Sequence, residues 1–153
     1  MDPTIEWFDG GRGELDDLFS LADDSPAAVR SYRDLGRVLV ARDGRAVVGH
    51  LQLVATDPVR AEVKSLAVLE DRQGEGIGRL LVERAVSVCR GEGRSELLVA
   101  TAAADTGVLR FYQLFGFRMT RIERDAFTAA TGYATIDIDG IPLRDRVWLS
   151  LSL

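Results

Sequence analysis

The chain contains one cysteine and one histidine, Cys89 and His50. A lone cysteine excludes an internal disulfide, and one Cys with one His cannot assemble a zinc cluster, so no metal site is expected. No apolar run approaches the ~20 residues that span a bilayer, so no membrane partner is expected. The opening residues, Met1-Asp2-Pro3-Thr4-Ile5-Glu6, have neither a basic start nor an apolar stretch. They do not read as a signal peptide, and the cytoplasm is the expected compartment. Clustered Lys and Arg are also missing, and the net charge is −5, which argues against a nucleic-acid partner. An acidic surface can attract cationic amines, but in most such domains it serves solubility alone. Repeats, linkers and low-complexity segments are absent. The 153 residues, 46% of them hydrophobic, therefore read as a single domain, 1–153, with enough apolar side chains for a packed core.

The pattern that is present alternates between strands and helices. Thr4 to Phe8 reads as a short strand. Glu14 to Ala22 reads as a helix with Leu15, Leu18, Phe19 and Ala22 on one face. Ser25 followed by Pro26 is a helix start, a capping hydroxyl before a residue suited to the first helical position. Arg37–Ala41 and Arg45–Ala55 are strands joined by the hairpin signal Asp43-Gly44, and Arg60–Leu69 follows as a third. A helix from Ile77 to about Arg90 carries Ile77, Leu80, Leu81, Ala85 and Val88 at helical spacing. Then come a strand at Leu97–Thr101, a helix at Gly107–Phe115, a strand from Phe117 and a closing strand at Val147–Leu153. The stretch Glu123–Arg144 is long and mixed, with a small hairpin predicted around Ile136–Ile141; connections of this length are often functional. The fold class is α+β, an α/β sandwich: a mixed, mostly antiparallel central sheet flanked by about four helices.

Gln73-Gly74-Glu75-Gly76-Ile77-Gly78 lies between a strand and a helix. A helix start presents unpaired N–H groups and partial positive charge, and glycines let the backbone approach a phosphate. The setting suits a diphosphate. A P-loop would need Gly-Lys-Ser/Thr, and Gly78-Arg79-Leu80 does not supply it. A dinucleotide fingerprint needs Gly-x-Gly-x-x-Gly after a parallel strand, whereas here the glycines fall at alternate positions after antiparallel ones.

The segment does match Gln/Arg-x-x-Gly-x-Gly/Ala, and in this the chain resembles the GNAT superfamily of N-acetyltransferases. The resemblance extends to Glu62-Val63-Lys64-Ser65-Leu66-Ala67-Val68, similar to the family's fourth strand, and to Phe111-Tyr112-Gln113-Leu114-Phe115-Gly116-Phe117 downstream. It implies acetyl-CoA as cosubstrate, with Gln73, Gly74, Glu75, Gly76, Ile77, Gly78 and Arg79 around the pyrophosphate. It also implies that Leu66, Ala67 and Val68 splay from the neighbouring strand to bind pantetheine, the Leu66 N–H facing the thioester oxygen. Asp105 stands where the family often has Asn, six residues before the Phe-Tyr pair. A contact from Asp105 to the pantetheine region would be made by a carboxylate that accepts but cannot donate.

Amine acetylation needs a neutral amine, a polarised carbonyl and a proton for the departing thiolate. By the resemblance Tyr112 is the candidate acid; by itself, a Tyr on a helix is usually a packing residue. Glu62 is the candidate base, with a salt bridge to Lys64 or Arg60 as the ordinary alternative. Arg72 and Arg79 flank the loop, His50 and Cys89 read as structural residues, and Trp7 and Trp148 as packing residues. The expected function is direct acetyl transfer from acetyl-CoA to a primary amine of a small molecule. The acceptor is expected between the early helices and the Glu123–Arg144 segment, where Asp23, Asp24 and Asp137 are candidate cation binders. Acetylation of a protein N-terminus or lysine is a close variant, and an acyl-CoA-binding sensor without turnover is the alternative of a different class. Oligomeric state is not fixed by the sequence; the resemblance implies a homodimer as a common form.

Overall fold

The computed structural model describes residues 2–153. Strand β1 (Thr4–Trp7) leads through a 3-10 turn (Arg12–Leu15) into α1 (Asp16–Ala22) and then α2 (Pro26–Tyr32). The meander β2 (Arg37–Asp43), β3 (Ala46–Ala55) and β4 (Arg60–Val68) follows. After the Gly-rich loop come α3 (Ile77–Gly91), β5 (Glu96–Ala102), α4 (Thr106–Leu114) and β6 (Arg118–Glu123). The long connection carries a short hairpin, β7 (Asp137–Ile138) and β8 (Ile141–Pro142), before β9 (Arg146–Ser152). The first predicted helix is thus broken in two: its glycine-flanked start winds as a 3-10 turn and only Asp16 onward is α-helical. Ser25 caps α2 as expected, its Oγ accepting from the Ala28 N–H at 3.2 Å. Carbonyls at the end of α2 and in the turn after it accept hydrogen bonds from two distant side chains. Arg12 donates to Arg33 O and Gly36 O, and Gln52 donates to Tyr32 O and Leu35 O.

One seven-stranded sheet runs β1-β2-β3-β4-β5-β9-β6. Its pairs are antiparallel except β4 with β5, which is parallel. That parallel pair is short: it holds only from Arg60 opposite Glu96 to Val63 opposite Val99, after which the strands part. β4 continues to Val68 on β3 alone, and β5 continues to Ala102 on β9 alone. A β-bulge falls at the parting point. Gln52 pairs with Ser65 but Leu53 pairs with Val63, leaving Lys64 as the extra residue.

The bulge shifts the alternation of β4 by one. Ala61 and Val63, then Leu66 and Val68, lie with the core on the α3 and α4 face. Ala67 joins α1 and α2 on the other face, with Ser65 bonded to His50 under Phe19. The larger core buries Leu81, Ala85 and Cys89 of α3 against Leu39, Leu51, Leu97 and Leu149 of the sheet. Each such buried Leu stabilises the fold by roughly 1.5–3 kcal/mol. Gly49 of β3 lets α3 close onto the sheet: a Cβ there would stand 3.1 Å from Ala67 O and 3.3 Å from Ile77 Cγ2.

Two packing expectations are corrected. Trp7 is 42% exposed at the end of the edge strand β1, where the Arg37 guanidinium stacks on its ring at 4.5 Å. Leu80 is also exposed, the inward stripe of α3 being completed by Val82 and Val86. Cys89 is buried among apolar neighbours, which raise its thiol pKa and suit the packing role read for it.

Candidate active site

The gap between β4 and β5 is the centre of the site. Leu69 donates its N–H to Val48 O of β3, so by strand alternation the backbone groups of Leu66 and Val68 face away from β3, toward the gap. Gln73 agrees with this: its Nε2 donates to Val68 O at 3.0 Å. The Ala67 N–H points to β3, and its side chain packs beneath α1. Leu66 and Val68 are therefore the residues whose main chain is open to a ligand lying in the gap.

The loop completes this wall. Gly74 and Gly76 have φ of 82° and 85°, a conformation that costs L-residues about 1–2 kcal/mol. A Cβ at either would meet nothing within 4 Å, so these glycines face open space. The N–H groups of Gly74, Glu75, Gly76, Ile77, Gly78 and Arg79 have no acceptor among the described residues; the first loop-to-helix bond is Leu80 N–H to Gly76 O. A run of unpaired donors at a helix start is an anion site. Ile77 contributes its N–H while its side chain enters the core. A Cβ at Gly78 would lie 3.6 Å from the Phe111 ring and 3.9 Å from Val68 Cγ2. A cavity of 510 Å³ lies here, lined by Gln73, Gly74, Gly76, Arg79, Phe111 and Phe115 among others.

The arginines beside the loop are largely engaged. Arg72 bridges Glu75 and Asp43 at 3.0 and 2.9 Å and so braces the loop. Glu75 is thus an internal ion-pair partner in addition to carrying a loop N–H. Arg79 pairs with Glu83 at 2.8 Å and is well exposed at the mouth.

A second cavity, of 880 Å³, continues from the loop along Leu66 and Val68 to Asp105, Val108 and Tyr112. Tyr112 is only 3% exposed, flanked by Phe111 and Phe117 at ring distances of 5.1 and 5.3 Å. Burial raises its phenol pKa well above the ordinary value, and the hydroxyl has no partner among the described residues. Asp105 caps α4, its Oδ1 accepting from the Val108 N–H at 3.2 Å. The departure from Asn at this position is thereby explained locally: a carboxylate caps a helix as well as an amide does.

On the opposite face of β4 lies a smaller cavity of 210 Å³. Its floor is Glu62 and Lys64 of β4, Ala100 and Ala102 of β5, and Arg146 and Trp148 of β9; its roof is Asp23, Asp24 and Tyr32 with Phe127 and Tyr133 of the long connection. Glu62 is 13% exposed, with Lys64 Nζ at 3.8 Å. Burial raises its pKa, and Lys64 and Arg146 pull only partly against that. Asp23 is built into the roof, accepting from Tyr32 Oη, Tyr133 Oη and the Ser25 N–H. Asp137 does not line this cavity, while the neighbouring Ile138 does.

His50 does not reach either cavity. It is fully buried, bonded through Nε2 to Ser65 Oγ at 2.8 Å, and burial pushes its pKa down to about 3. Trp148, taken as a packing residue, instead faces the cavity with its Nε1 donating to Glu123. Sequence reasoning also passed over Tyr32, Tyr133 and Arg146. The alternation Arg146-Val147-Trp148-Leu149, with Val147 and Leu149 inward, was the available signal for two of the cavity's wall residues.

A diphosphate-sized anion site, an open strand edge and a buried phenol on one continuous groove define an acyl-coenzyme A-dependent transferase. Comparison with known proteins gives the family. The Acetyltransferase (GNAT) family matches residues 5–117. The uncharacterized N-acetyltransferase YvbK of Bacillus subtilis is 32% identical over 149 residues, covering 97% of this chain and 96% of that protein. A Bacillus cereus structure described as an IAA acetyltransferase superposes with a TM-score of 0.89 at 34% identity, over 99% of both chains. A GNAT family acetyltransferase from Elizabethkingia anophelis, solved with acetyl-CoA bound, gives 0.91 at 29% identity, again over 99% of both. The chain belongs to the GNAT family and is an acetyl-CoA-dependent acetyltransferase.

Proposed function

We propose that the enzyme transfers acetyl directly from acetyl-CoA to the primary amine of a small molecule. The observation that carries this reading is the opening of β4 from β5 between two cavities: the groove with the loop and Tyr112 on one face, the small roofed cavity with Glu62 on the other. The unpaired loop N–H groups hold the pyrophosphate, and the backbone of Leu66 and Val68 aligns pantetheine. The Leu66 N–H stabilises negative charge developing on the thioester oxygen. Glu62, its pKa raised by burial, takes the proton from the attacking amine. Tyr112, kept protonated by its surroundings, donates to the sulfur as the C–S bond breaks.

The acceptor cavity is small and roofed, which favours a small molecule over a protein terminus or lysine. The test is release of free thiol from acetyl-CoA across a panel of polyamines, aminoglycosides, amino acids and peptides. Turnover with small amines alone supports the proposal. Turnover confined to peptides moves the reading to protein acetylation. Acetyl-CoA binding without thiol release from any amine, and with no effect of Tyr112→Phe, supports a sensor instead.

A further inference from the structure

The chain has a single lysine against eighteen arginines, and that lysine, Lys64, is the bulged residue of β4 in the wall of the acceptor cavity. Its ammonium makes no hydrogen bond among the described residues. It lies 3.8 Å from Glu62 and over the Tyr32 ring at 5.0 Å, and the side chain is 35% exposed. Arg146 lines the same cavity. Only its Nη1 is engaged, with Glu123 at 3.1 Å, and the guanidinium stacks on Phe127 at 4.8 Å. Two cations with unspent donors therefore face one small space.

The carboxylates around them are mostly committed. Asp23 accepts from two phenols and a backbone N–H, and Asp105 caps α4. Glu62 and Asp24 are left as acceptors without hydrogen bonds among the described residues. A simple monoamine entering this cavity would displace water from Lys64 and Arg146 and give them nothing in return. A polyamine would likewise leave both cations without an acceptor. A molecule with an amine toward Glu62 and an anionic group toward Lys64 and Arg146 satisfies both sets. A carboxylate matches a guanidinium fork and an ammonium together. Trp148, Phe127 and Tyr133 supply apolar wall for an uncharged side chain.

We propose that the acceptor is a free amino acid with an uncharged side chain, its carboxylate held by Lys64 and Arg146. This rests on the reading of the roofed cavity as the acceptor site. The experiment compares thiol release for matched triples: the free amino acid, its C-terminal amide and the corresponding decarboxylated amine. The free acid is expected to exceed both by at least about tenfold in kcat/KM, the scale of a hydrogen-bonded charge pair. In Lys64→Met and Arg146→Met that ratio should fall toward one, chiefly through KM for the amino acid, and Lys64→Arg should retain part of it. Equal or better turnover of the amide or amine, or of a polyamine, overturns the proposal, as does a ratio that the substitutions leave unchanged. If no amine releases thiol, calorimetric titration of the same triples into the protein saturated with CoA decides separately. Acid-selective binding that is lost in Lys64→Met upholds the carboxylate site although the transferase reading has failed; no selective binding overturns it.

Discussion

Tyr133 Oη lies 2.8 Å from Asp23 Oδ1, joining residues 110 apart in sequence. Tyr32 Oη reaches the other oxygen of the same carboxylate at 2.9 Å. One aspartate thus pins the long connection to the early helices and holds the roof over the small cavity proposed for the acceptor. Tyr133→Phe removes one of these bonds. The expected result is a loss of about 1 kcal/mol in stability and a several-fold higher KM for the amine, with KM for acetyl-CoA unchanged. Denaturant unfolding and steady-state kinetics check both.

Tyr112→Phe tests the acid. The hydroxyl has no partner among the described residues, so the melting temperature should stay close to that of the unaltered protein. Thiol release should fall by about 10²–10⁴ in kcat, the range for a positioned general acid. A large drop in stability with little change in kcat would assign Tyr112 to packing alone.

Glu62 gives a pH prediction of definite sign. Its folded pKa is raised, chiefly by burial, so the folded state holds the proton more tightly than the unfolded chain. Its contribution to stability is present below the unfolded pKa and is lost as pH rises through the folded value. Glu62→Gln should therefore be more stable than the parent at neutral pH. The parent's kcat/KM should rise with pH through the raised Glu62 pKa, and the variant should lose that limb. Melting curves and rate profiles across the acid range measure the two effects.

Gly76→Ala places a Cβ at φ 85° and into the space facing the unpaired loop donors. The expected cost is about 1–2 kcal/mol of stability, with CoA affinity reduced by roughly tenfold or more. Differential scanning calorimetry and calorimetric titration with CoA separate the two losses.

Asp105→Asn keeps a good cap and Asp105→Ala does not. The first should leave stability within about 0.5 kcal/mol and the second should cost about 1 kcal/mol. Comparing CoA affinity in the Asn variant then reports on the pantetheine contact alone, free of any folding effect.

The glycine loop and the groove it opens on were legible because they are local. Gln73 to Gly78, the strand before it and the helix after it are contiguous, and glycine spacing encodes backbone conformation directly. Tyr112 and Glu62 came from motif position. The small roofed cavity was not legible in the same way, because it is assembled from β4, β5, β9, the α1–α2 junction and a connection that closes over them from the far end of the chain. No local pattern announces that Tyr133 meets Asp23, or that Arg146 comes beside Lys64. The bulge was equally hidden: nothing in Val63-Lys64-Ser65 marks one residue as extra, since the need for it arises from the pairing with β3. The same is true of the break in the first helix, where the predicted face was right for Leu15, Leu18 and Phe19 but Ala22 is exposed at the cavity rim.

In the proposed reading, the bulge at Lys64 also separates what the enzyme acts on from what it acts with. On one side of it Glu62 and Lys64 line the small roofed cavity; beyond it Leu66 and Val68 line the groove that runs from the glycine loop. Side-chain exchanges at the first pair can redraw the range of amines while the second pair continues to grip the same nucleotide carrier. Deleting the one extra residue would restore strict alternation and leave Leu66 and Val68 on their present face, so a change in length here would remove the Lys64 side chain from one wall without turning the other.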